Sequence, residues 1–496
     1  MDVLVKTVVI GALVFIFWKF VVTLWNYIQL CKKLEKIPQK PSHWLFGHSR
    51  EVKDSKTYFD YVKDVMKGGS KVYCIWNGPF PLLGVCHPET FQQLNKQEIN
   101  KARGLTGPYR LIQPWIGEGL LVSGDKKWER NRRLLTPAFH FDILSGYLKV
   151  MNDVTDIFLD KLGKGLEQSE SMDIFPYVCR STLDIMLRCS LSYDGSMLEN
   201  EEHRYIKAVQ QLSTLLWHRM TTPLLLFDFI YNLSPVGREH KRLLDVVHEF
   251  TADIIATRQK LLKQQPDLTK HKRRLDFLDI LLTAKDEHGH GLSQQEIQDE
   301  VDTFTFEGHD TTGSAISYAI YALGQYPEIQ EQVYQDIQNI AGDVKEISQH
   351  ELNQFKYLPL FIKEVMRFYS PVPVVSRQNS KQLVLDGKVI PPGMRIDINI
   401  LAIHHNTDIW KCPEKFDPSR FDREHRDETD IYGFIPFSAG SRNCIGQVFA
   451  TNEIKITLAK LVKRYIVLPV KDHKPEYQPD VVMRSLNGLP VILKRR

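Results

Sequence analysis

The chain has 496 residues, of which 43% are hydrophobic and 25% charged, with 28 Gly and 25 Pro. This composition is typical of a globular protein and excludes a collagen-like, coiled-coil or mainly disordered chain. The formal net charge is +4, and residues 1–41 carry all of it, with six Lys against Asp2 and Glu35. The rest of the chain holds 58 basic and 58 acidic residues. Because this part of the chain has no excess of basic residues, a nucleic-acid-binding function is disfavoured.

An apolar stretch near the start of the chain predicts a membrane-spanning helix. Residues 7–25 contain one charge, Lys19, in 19 positions. At about 1.5 Å per residue, such a helix nearly spans a hydrocarbon core of about 30 Å. Lysines follow it at positions 32, 33, 36 and 40, and this positive-inside bias places the rest of the chain in the cytosol. We therefore predict an uncleaved single-pass anchor with a Pro-containing hinge over residues 1–41 and a catalytic domain over residues 42–496.

Hydrophobic periodicity predicts a mainly α protein with small β-sheets. Apolar residues recur at helical spacing over residues 58–67 and 143–170, and the helical pattern dominates to about residue 369. Strand-like runs are confined to residues 71–86, residues 383–400 and the C-terminus, where Asn487-Gly488 predicts a hairpin turn before Leu489. The seven cysteines are odd in number and have no paired spacing, so no disulfide framework is expected.

The most informative segment is the loop 437–446, Phe-Ser-Ala-Gly-Ser-Arg-Asn-Cys-Ile-Gly, which precedes a helical pattern. Its glycines permit unusual backbone angles and a close approach by a flat ligand, while backbone N–H groups and a helix N-terminus favour a thiolate. The segment therefore suits a thiolate metal ligand at Cys444. From these residues alone, an ordinary strand-to-helix turn with a buried Cys stays open as an alternative.

This loop matches Phe-x-x-Gly-x-Arg-x-Cys-x-Gly at all five fixed positions and resembles the cysteine-ligand loop of the cytochrome P450 haem-thiolate monooxygenases. The resemblance implies the cytochrome P450 fold, a large helical domain with small β-sheets, and haem b as cofactor. It implies that Cys444 is the axial iron ligand. By the same resemblance Phe437, Arg442 and Gly446 contact the cofactor, with Arg442 reaching a haem propionate.

Two further motifs of that family occur in order. Glu364-Val-Met-Arg367 matches its Glu-x-x-Arg, and Pro418-Ser-Arg420-Phe matches its Pro-x-Arg-Phe. An isolated Glu-x-x-Arg would be a helix-surface ion pair. The resemblance instead implies a buried structural triad of Glu364, Arg367 and Arg420.

Other residues are expected to hold the haem propionates. Trp128 and Arg132 match the family's Trp-x-x-x-Arg, and an indole N–H and a guanidinium are good donors to a carboxylate. Arg377 is a further candidate propionate contact.

Residues 300–312 are polar where a long helix would normally be apolar. Helical spacing predicts one face that carries Glu307, Asp310, Thr311 and Ser314, and the missing side chain of Gly308 would open a groove there. A solvent-facing stripe is the alternative, although the neighbouring aromatic residues favour burial. The resemblance implies that Asp310 and Thr311 are the acid–alcohol pair that relays protons during oxygen activation.

The same segment is similar to family 4 of the cytochromes P450, whose pattern Glu-Val-Asp-Thr-Phe-Met-Phe-Glu-Gly-His-Asp-Thr-Thr it matches at twelve of thirteen positions, with Thr305 in place of Met. Members of this family can form an ester between the second Glu of the pattern and a haem methyl group. Glu307 is therefore a candidate covalent attachment of the haem.

Family 4 members commonly hydroxylate the terminal, or ω, carbon of fatty acids, and the resemblance implies that activity here. It implies a lipid-like substrate, O2, electrons from NADPH through NADPH–cytochrome P450 reductase, with cytochrome b5 as an alternative donor, and the endoplasmic reticulum membrane. Oxidation of steroids, ecdysteroid-like lipids or xenobiotics is the alternative, and a non-catalytic haem-binding protein is a remote one. Expected channel residues are Tyr109, Leu111, the segment 224–229, Val374, Val375, Leu486 and Leu489.

Overall fold

The computed structural model describes residues 2–52, 55–97, 99–166, 169–199, 203–265, 275–422 and 431–496. The helices of the first half are α1 (Asp2–Leu34), α2 (Ser55–Met66), α3 (Pro88–Asn95), α4 (Pro108–Ile116), α5 (Asp125–Leu135), α6 (Phe141–Leu166), α7 (Ile174–Ser190), α8 (Arg204–Thr221), α9 (Asp228–Leu233) and α10 (Pro235–Gln264). Those of the second half are α11 (Phe277–Thr283), α12 (Gln294–Gln325), α13 (Pro327–Ala341), α14 (Gln349–Gln354), α15 (Tyr357–Tyr369), α16 (Ile400–His404) and α17 (Gln447–Arg464). The predicted predominance of helix is confirmed.

The strands form small sheets. They are β1 (Val72–Asn77), β2 (Phe80–Val85), β3 (Asn100–Lys101), β4 (Met172–Asp173), β5 (Val374–Gln378), β6 (Leu383–Leu385), β7 (Lys388–Ile390), β8 (Arg395–Asn399), β9 (Tyr465–Pro469), β10 (Tyr477–Pro479), β11 (Met483–Ser485) and β12 (Pro490–Arg495). The largest sheet has the order β1-β2-β8-β5-β3, in which only the β2–β8 pair is parallel. The strands predicted within residues 71–86 and 383–400 are therefore present.

The hairpin predicted at Asn487-Gly488 is wrong, although the chain does turn there. Strand β11 pairs with β10, whereas β12 pairs with β9 and β4, so the turn joins two different sheets. Its side chains explain why: the Asn487 Oδ1 accepts from the backbone N–H of Glu476, and its Nδ2 donates to the Lys474 carbonyl. The turn is thus held against the segment before β10.

Helix α1 is longer than the apolar stretch that predicted it. Within the described ranges, Val5–Leu34 is the single stretch long and apolar enough to cross a membrane, and its most apolar window is not buried. The far end differs, because Leu34 and Ile37 are fully buried against the sheet residues Val72 and Cys74. An exposed apolar helix that is rooted in the body at one end fits a membrane anchor.

Helix α12 runs through the core and packs against α7, α15, α17 and β9. It begins with a capping box, since the backbone N–H of Glu296 donates to the Ser293 Oγ and that of Ser293 donates to the Glu296 carboxylate. Its residues are buried along most of its length, and Phe304 and Phe306 lie in the main hydrophobic core. The alternative of a solvent-facing polar stripe is therefore excluded.

Candidate active site

A cavity of about 400 Å³ lies beside α12. Its walls come from α4, α5, α8, α12 and β5, together with the loop 437–446 and the tip of the β10–β11 hairpin. Most of the lining is apolar, as at Ile112, Leu120, Ala315 and Val482. The charged and thiol side chains of the lining include Lys101, Arg132, Glu307, Arg377, Arg442 and Cys444.

The loop 437–446 turns Cys444 toward this cavity. The backbone N–H of Cys444 donates to the Phe437 carbonyl at 3.0 Å, and α17 begins at Gln447. Gly440 has φ +74°, and a β-carbon there would come within 2.5 Å of the Asn95 Oδ1. This position therefore requires glycine both for its backbone angle and for its closeness to α3.

The Cys444 side chain is exposed to the cavity. Burial among the surrounding residues and the charge of Glu307 raise its pKa to about 11, while the backbone N–H of Gly446 and the charge of Arg132 act in the opposite direction. In the protein alone the thiol form is thus favoured. A metal cation bound to the sulfur would favour the thiolate instead, because a coordinated thiol loses its proton.

Four cations line the cavity without an acidic partner. Arg132 donates to the carbonyl and the Oδ1 of Asn443, Arg377 to the Ser376 carbonyl, and Arg442 to the Ser123 carbonyl. Lys101 Nζ donates to the Tyr109 hydroxyl at 3.3 Å. In the described part of the chain, none of the four has a carboxylate oxygen within 4.0 Å.

Among these four cations, which we call the cation cluster, burial and a neighbouring cation lower the pKa values of two. Burial and the nearby Arg377 hold the pKa of Lys101 well below its usual range. Burial and the same Arg377 lower the pKa of Arg442 to about 10, and its guanidinium lies 3.8 Å from the centre of the Trp128 ring. Like charges held together in a buried wall are unfavourable unless an anion joins them.

These residues fit the haem that the sequence resemblance implies. A haem carries two propionate groups, and the cluster offers guanidinium and ammonium donors for them on the wall that also holds Trp128. The Cys444 thiol opens into the same cavity. Lys101 was missed by the sequence reasoning, because it lies outside every motif, in the two-residue strand β3.

The polar face predicted for α12 is split by the fold. Glu307 and Thr311 line the cavity, and the Thr311 Oγ donates to the Glu307 carbonyl at 2.8 Å. Asp310 and Ser314 instead contact β11: Asp310 pairs with Arg484, and the Ser314 Oγ donates to the Met483 carbonyl at 2.8 Å. Consecutive residues are about 100° apart around an α-helix, so the acid and the alcohol of the predicted pair point in different directions.

Burial raises the pKa of Glu307 to about 7, and Lys101 lowers it in part. Its carboxyl group can therefore be neutral or ionised near neutral pH. Its charge in turn raises the pKa of Lys101, so Glu307 interacts electrostatically with the cation cluster.

The groove predicted at Gly308 is used for packing. A β-carbon at Gly308 would come within 2.6 Å of the Met186 Sδ on α7. The missing side chain therefore lets α7 lie close against α12, and Met186 lines the cavity beside it. Gly308 itself also lines the cavity, as expected, although Met186 occupies part of the space that a side chain would fill.

The three residues of the predicted triad lie together in the core. Arg367 donates to both oxygens of Glu364, from Nε and Nη2, each at 2.7 Å, and both side chains are fully buried. The Arg420 Nε lies 3.6 Å from the Glu364 Oε1, which also accepts from the backbone N–H of Asp417. Further Arg367 donors reach the carbonyls of His404 and Pro413. All of these charges have partners, which suits a structural role.

The expected channel residues divide into three sets. Tyr109, Val374 and Val375 line the cavity, Leu486 and Leu489 line a separate cleft, and Leu111 and residues 224–229 line neither. The C-terminal part of the cavity wall is formed by residues 480–482 at the hairpin tip. Sequence reasoning chose the wrong turn because Asn487-Gly488 has the stronger turn signal.

Comparison with known proteins gives consistent results. A family model described as cytochrome P450 matches residues 37–491. The chain is 41% identical over 471 residues to cytochrome P450 4A2 of Rattus norvegicus, covering 94% of this chain and 91% of that protein. It is 39% identical to leukotriene-B4 omega-hydroxylase 3 of Mus musculus, covering 92% and 89% respectively, and 39% identical to cytochrome P450 4F2 of Homo sapiens, covering 94% and 92%.

A solved structure has the same fold. The crystal structure of the cytochrome P450DA heme domain superposes with a TM-score of 0.81, covering 93% of this chain and 98% of that one, at 21% sequence identity.

Proposed function

Since the chain belongs to the cytochrome P450 family, we propose that it hydroxylates the terminal carbon of a fatty acid or a related lipid. It is a haem monooxygenase that uses haem b, O2, an organic substrate and electrons from a redox partner. Its relatives of about 40% identity belong to family 4, and one of them is named for ω-hydroxylation of leukotriene B4. The chain is similar to these proteins over nearly its whole length.

The observation that carries this proposal is the largely apolar cavity that ends at Cys444, Glu307 and Thr311. Apolar walls favour a hydrocarbon chain, and the polar groups stand where the reaction would occur. A terminal methyl C–H bond is harder to break than that of the neighbouring methylene, so ω-selectivity requires a shape that presents only the chain end.

The residues that would hold the haem are those of the thiol loop and the cation cluster. Cys444 would ligate the iron, and Arg132, Arg442 and Trp128 would bind the propionates, with Arg377 as a further contact. Bound haem supplies the iron at which dioxygen is activated. The protein supplies the anion-binding wall, an apolar chamber, and the side chains that move protons.

For proton transfer, we assign the last step before the reacting oxygen atoms to the Thr311 hydroxyl. It lies on the cavity wall, where its Oγ donates to the Glu307 carbonyl and its oxygen stays free to accept from water. Asp310 would supply protons to it, and to do so its carboxylate must leave at least one of its two contacts with Arg484.

Glu307 is our candidate for covalent attachment of the haem. Its carboxyl oxygen would hold the haem through an ester to one of the haem methyl groups. A tethered haem would be fixed against the pocket, which favours a single substrate position.

We assign electron supply to NADPH–cytochrome P450 reductase, with cytochrome b5 as an alternative donor, at the endoplasmic reticulum membrane. The lysines in the last turn of α1 and just after it support a cytosolic position for the catalytic domain. On α5, Lys127, Arg130 and Arg133 already pair with carboxylates of this chain, while Lys126 is exposed. Lys126 is therefore the residue of this helix most available to an acidic partner.

The test begins with the carbon-monoxide difference spectrum of the dithionite-reduced protein. A strongly red-shifted Soret band is expected, since that band requires a thiolate opposite the gas. Turnover with reductase and NADPH should then convert laurate or leukotriene B4 to the ω-hydroxy product, identified by mass spectrometry. Exclusive oxidation of a steroid panel would replace the substrate assignment, and a normal thiolate spectrum without turnover of any substrate would favour a non-catalytic haem protein.

A further inference from the structure

A second cleft, here called the rear cleft, is lined by no described residue of α12 or of the thiol loop 437–446. It measures about 560 Å³ and is bounded by the N-terminal end of α7, by α8 and by the chain around the β10–β11 hairpin. Its polar lining residues are Asp173, Gln210, Gln211, Thr214, Glu239, Gln478, Asp480, Arg484 and Ser485. Gln211 and Thr214 are exposed, whereas Asp480 and Arg484 are 6% and 8% exposed. The cleft therefore leads from solvent to two buried charged residues.

Asp480 connects this rear cleft with the active-site cavity. It lies in the turn between β10 and β11, and among the described residues it alone lines both spaces. Its neighbours at the hairpin tip, Val481 and Val482, line the cavity only. Asp480 is thus the wall residue that the rear cleft and the reaction chamber share.

Arg484, which pairs with Asp310 on α12, also lowers the pKa of Asp480 through its charge. The Arg484 Nη2 donates to both oxygens of Asp310 at 2.8 Å, and to the Ser213 Oγ at 3.5 Å. The Arg484 Nε is buried and has no hydrogen-bond partner in the described part of the chain. Because a guanidinium can donate in several directions in its plane, Arg484 has an unused donor while it holds Asp310.

The surroundings of Asp480 favour a group that gains and loses a proton near neutral pH. Burial raises its pKa to about 6, while Arg484 and the Gln478 amide, which donates to its Oδ1 at 2.9 Å, lower it in part. Asp310 on α12 also faces it and raises the pKa. Asp173 and Glu239 line the outer part of the cleft.

We propose that Asp480 is the group through which protons enter the active site from the rear cleft, and that Arg484 is a positioning residue shared by Asp480 and Asp310. Each hydroxylation consumes two protons and two electrons, the electrons arriving from the redox partner. For each proton, Asp480 gives its own to cavity water or to Asp310 and takes another from water in the cleft. Both carboxyl groups return to their starting state, and the proton leaves in the products. This inference rests on the proposed monooxygenase function.

The test uses the full-length holoenzyme with reductase and the variant Asp480→Asn, which keeps the shape of the side chain and removes its proton transfer. We expect the product formed per NADPH to fall at least threefold, with more peroxide released, and the solvent deuterium isotope effect on product formation to rise. The rate of the parent enzyme should fall as pH rises above 6, where Asp480 loses its proton, and this dependence should be absent in the variant.

Controls distinguish this effect from damage to the fold. Asp480→Glu restores the carboxyl and should recover most of the product yield, and Glu239→Gln, at the cleft rim, should behave like the parent enzyme. Hydrogen peroxide as oxidant supplies its own protons, so Asp480→Asn should hydroxylate at the parental rate with peroxide. Unchanged yield, isotope effect and pH profile in Asp480→Asn would overturn the proposal, whereas a parent enzyme that hydroxylates nothing by either route would overturn the proposed function instead.

If Asp480→Asn fails to give a normal carbon-monoxide spectrum, Gln478→Leu decides the matter. It removes the amide that donates to Asp480 and keeps the carboxyl, so the pKa of Asp480 and the midpoint of the pH profile should rise. An unchanged midpoint in Gln478→Leu would overturn the proposal.

Discussion

Two groups of buried and half-buried arginines differ in what faces them. Around Glu364, the guanidiniums of Arg367 and Arg420 meet a carboxylate and backbone carbonyls at hydrogen-bond or ion-pair distance. In the cation cluster, Arg377 and Arg442 find only neutral oxygens of the described chain. Both groups are costly to bury, but only the first is compensated by the protein itself.

This difference distinguishes arginines that stabilise the fold from arginines that bind a ligand. A buried charge that has a partner in the chain stabilises or positions the fold, whereas buried like charges without a partner indicate where an anionic ligand completes the site. The distinction predicts that substitutions in the first group reduce stability, while those in the second reduce retention of the haem. The following experiments test it.

The largest effect is expected at the thiol. Cys444→Ala removes the one sulfur of the loop 437–446, so monooxygenation should be abolished while the fold persists. Activity with reductase, the carbon-monoxide spectrum and the far-UV circular dichroism of the variant would be measured together. Residual hydroxylation would contradict the assignment of Cys444 as the iron ligand.

The next effect concerns Glu307, the acid that faces the cation cluster. In Glu307→Ala the haem should be released completely by acidic organic solvent, whereas turnover of the parent enzyme should leave a retained fraction. Glu300→Ala serves as the matched control, since Glu300 is on the same helix but bonds to the Leu120 N–H and to Asn131. Equal retention in Glu307→Ala and the parent would exclude the ester.

Loss of one partner from the Glu364 triad should lower the free energy of unfolding. Arg367→Met leaves the Glu364 carboxylate buried without its main partner, and loss of one member of such a pair costs about 3 to 5 kcal/mol. Urea unfolding of the holoprotein in detergent would measure the change in the free energy of unfolding. A loss below about 1 kcal/mol would indicate that the triad is not a structural element.

Arg442→Met should weaken haem retention without reducing the stability of the apoprotein. The apoprotein loses an uncompensated cation and should be at least as stable as the parent, while haem dissociation should be about tenfold faster, or about 1.4 kcal/mol. Transfer of haem to apomyoglobin gives the dissociation rate. If the Arg442→Met apoprotein is destabilised as much as Arg367→Met, the proposed difference between the two groups of arginines is wrong.

The smallest effect is expected at Lys101. Its pKa is lowered in the folded protein, so the unfolded chain binds the proton more tightly. The free energy of unfolding of the apoprotein should therefore rise with pH up to the ordinary lysine value of about 10.4. Lys101→Met should remove this dependence and stabilise the apoprotein by about 1 kcal/mol at pH 7. Unfolding at pH 7 and pH 9 checks both, and an unchanged pH dependence in Lys101→Met would show that Lys101 is not the cause.

Sequence patterns predicted the parts of the fold that depend on local periodicity and motifs. Helical spacing predicted α2 and α6, strand-like runs predicted β1 and β2, and the fixed positions of one loop indicated Cys444. They did not predict pairing over long separations. Asp310 and Arg484 are 174 residues apart, and nothing in either segment indicates that one neutralises the other.

Two site features were missed for related reasons. Lys101 belongs to a two-residue strand whose position depends on pairing with β5, so no periodicity marks it. The hairpin tip at residues 480–482 is set by pairing of β10 with β11, and its Pro479-Asp480 pair is a weaker hairpin signal than Asn487-Gly488. Their roles follow from contacts made in three dimensions.

The concentration of net charge in residues 1–41 also affects handling of the enzyme in solution. A form truncated before residue 42 would hold equal numbers of basic and acidic residues, so its isoelectric point would lie close to neutral pH. Colloidal repulsion between molecules is weakest under that condition. Removal of the anchor would thus take away an apolar helix and, with it, the charge that keeps molecules apart. Buffers away from neutrality, or a short charged tag, should keep such a form in solution.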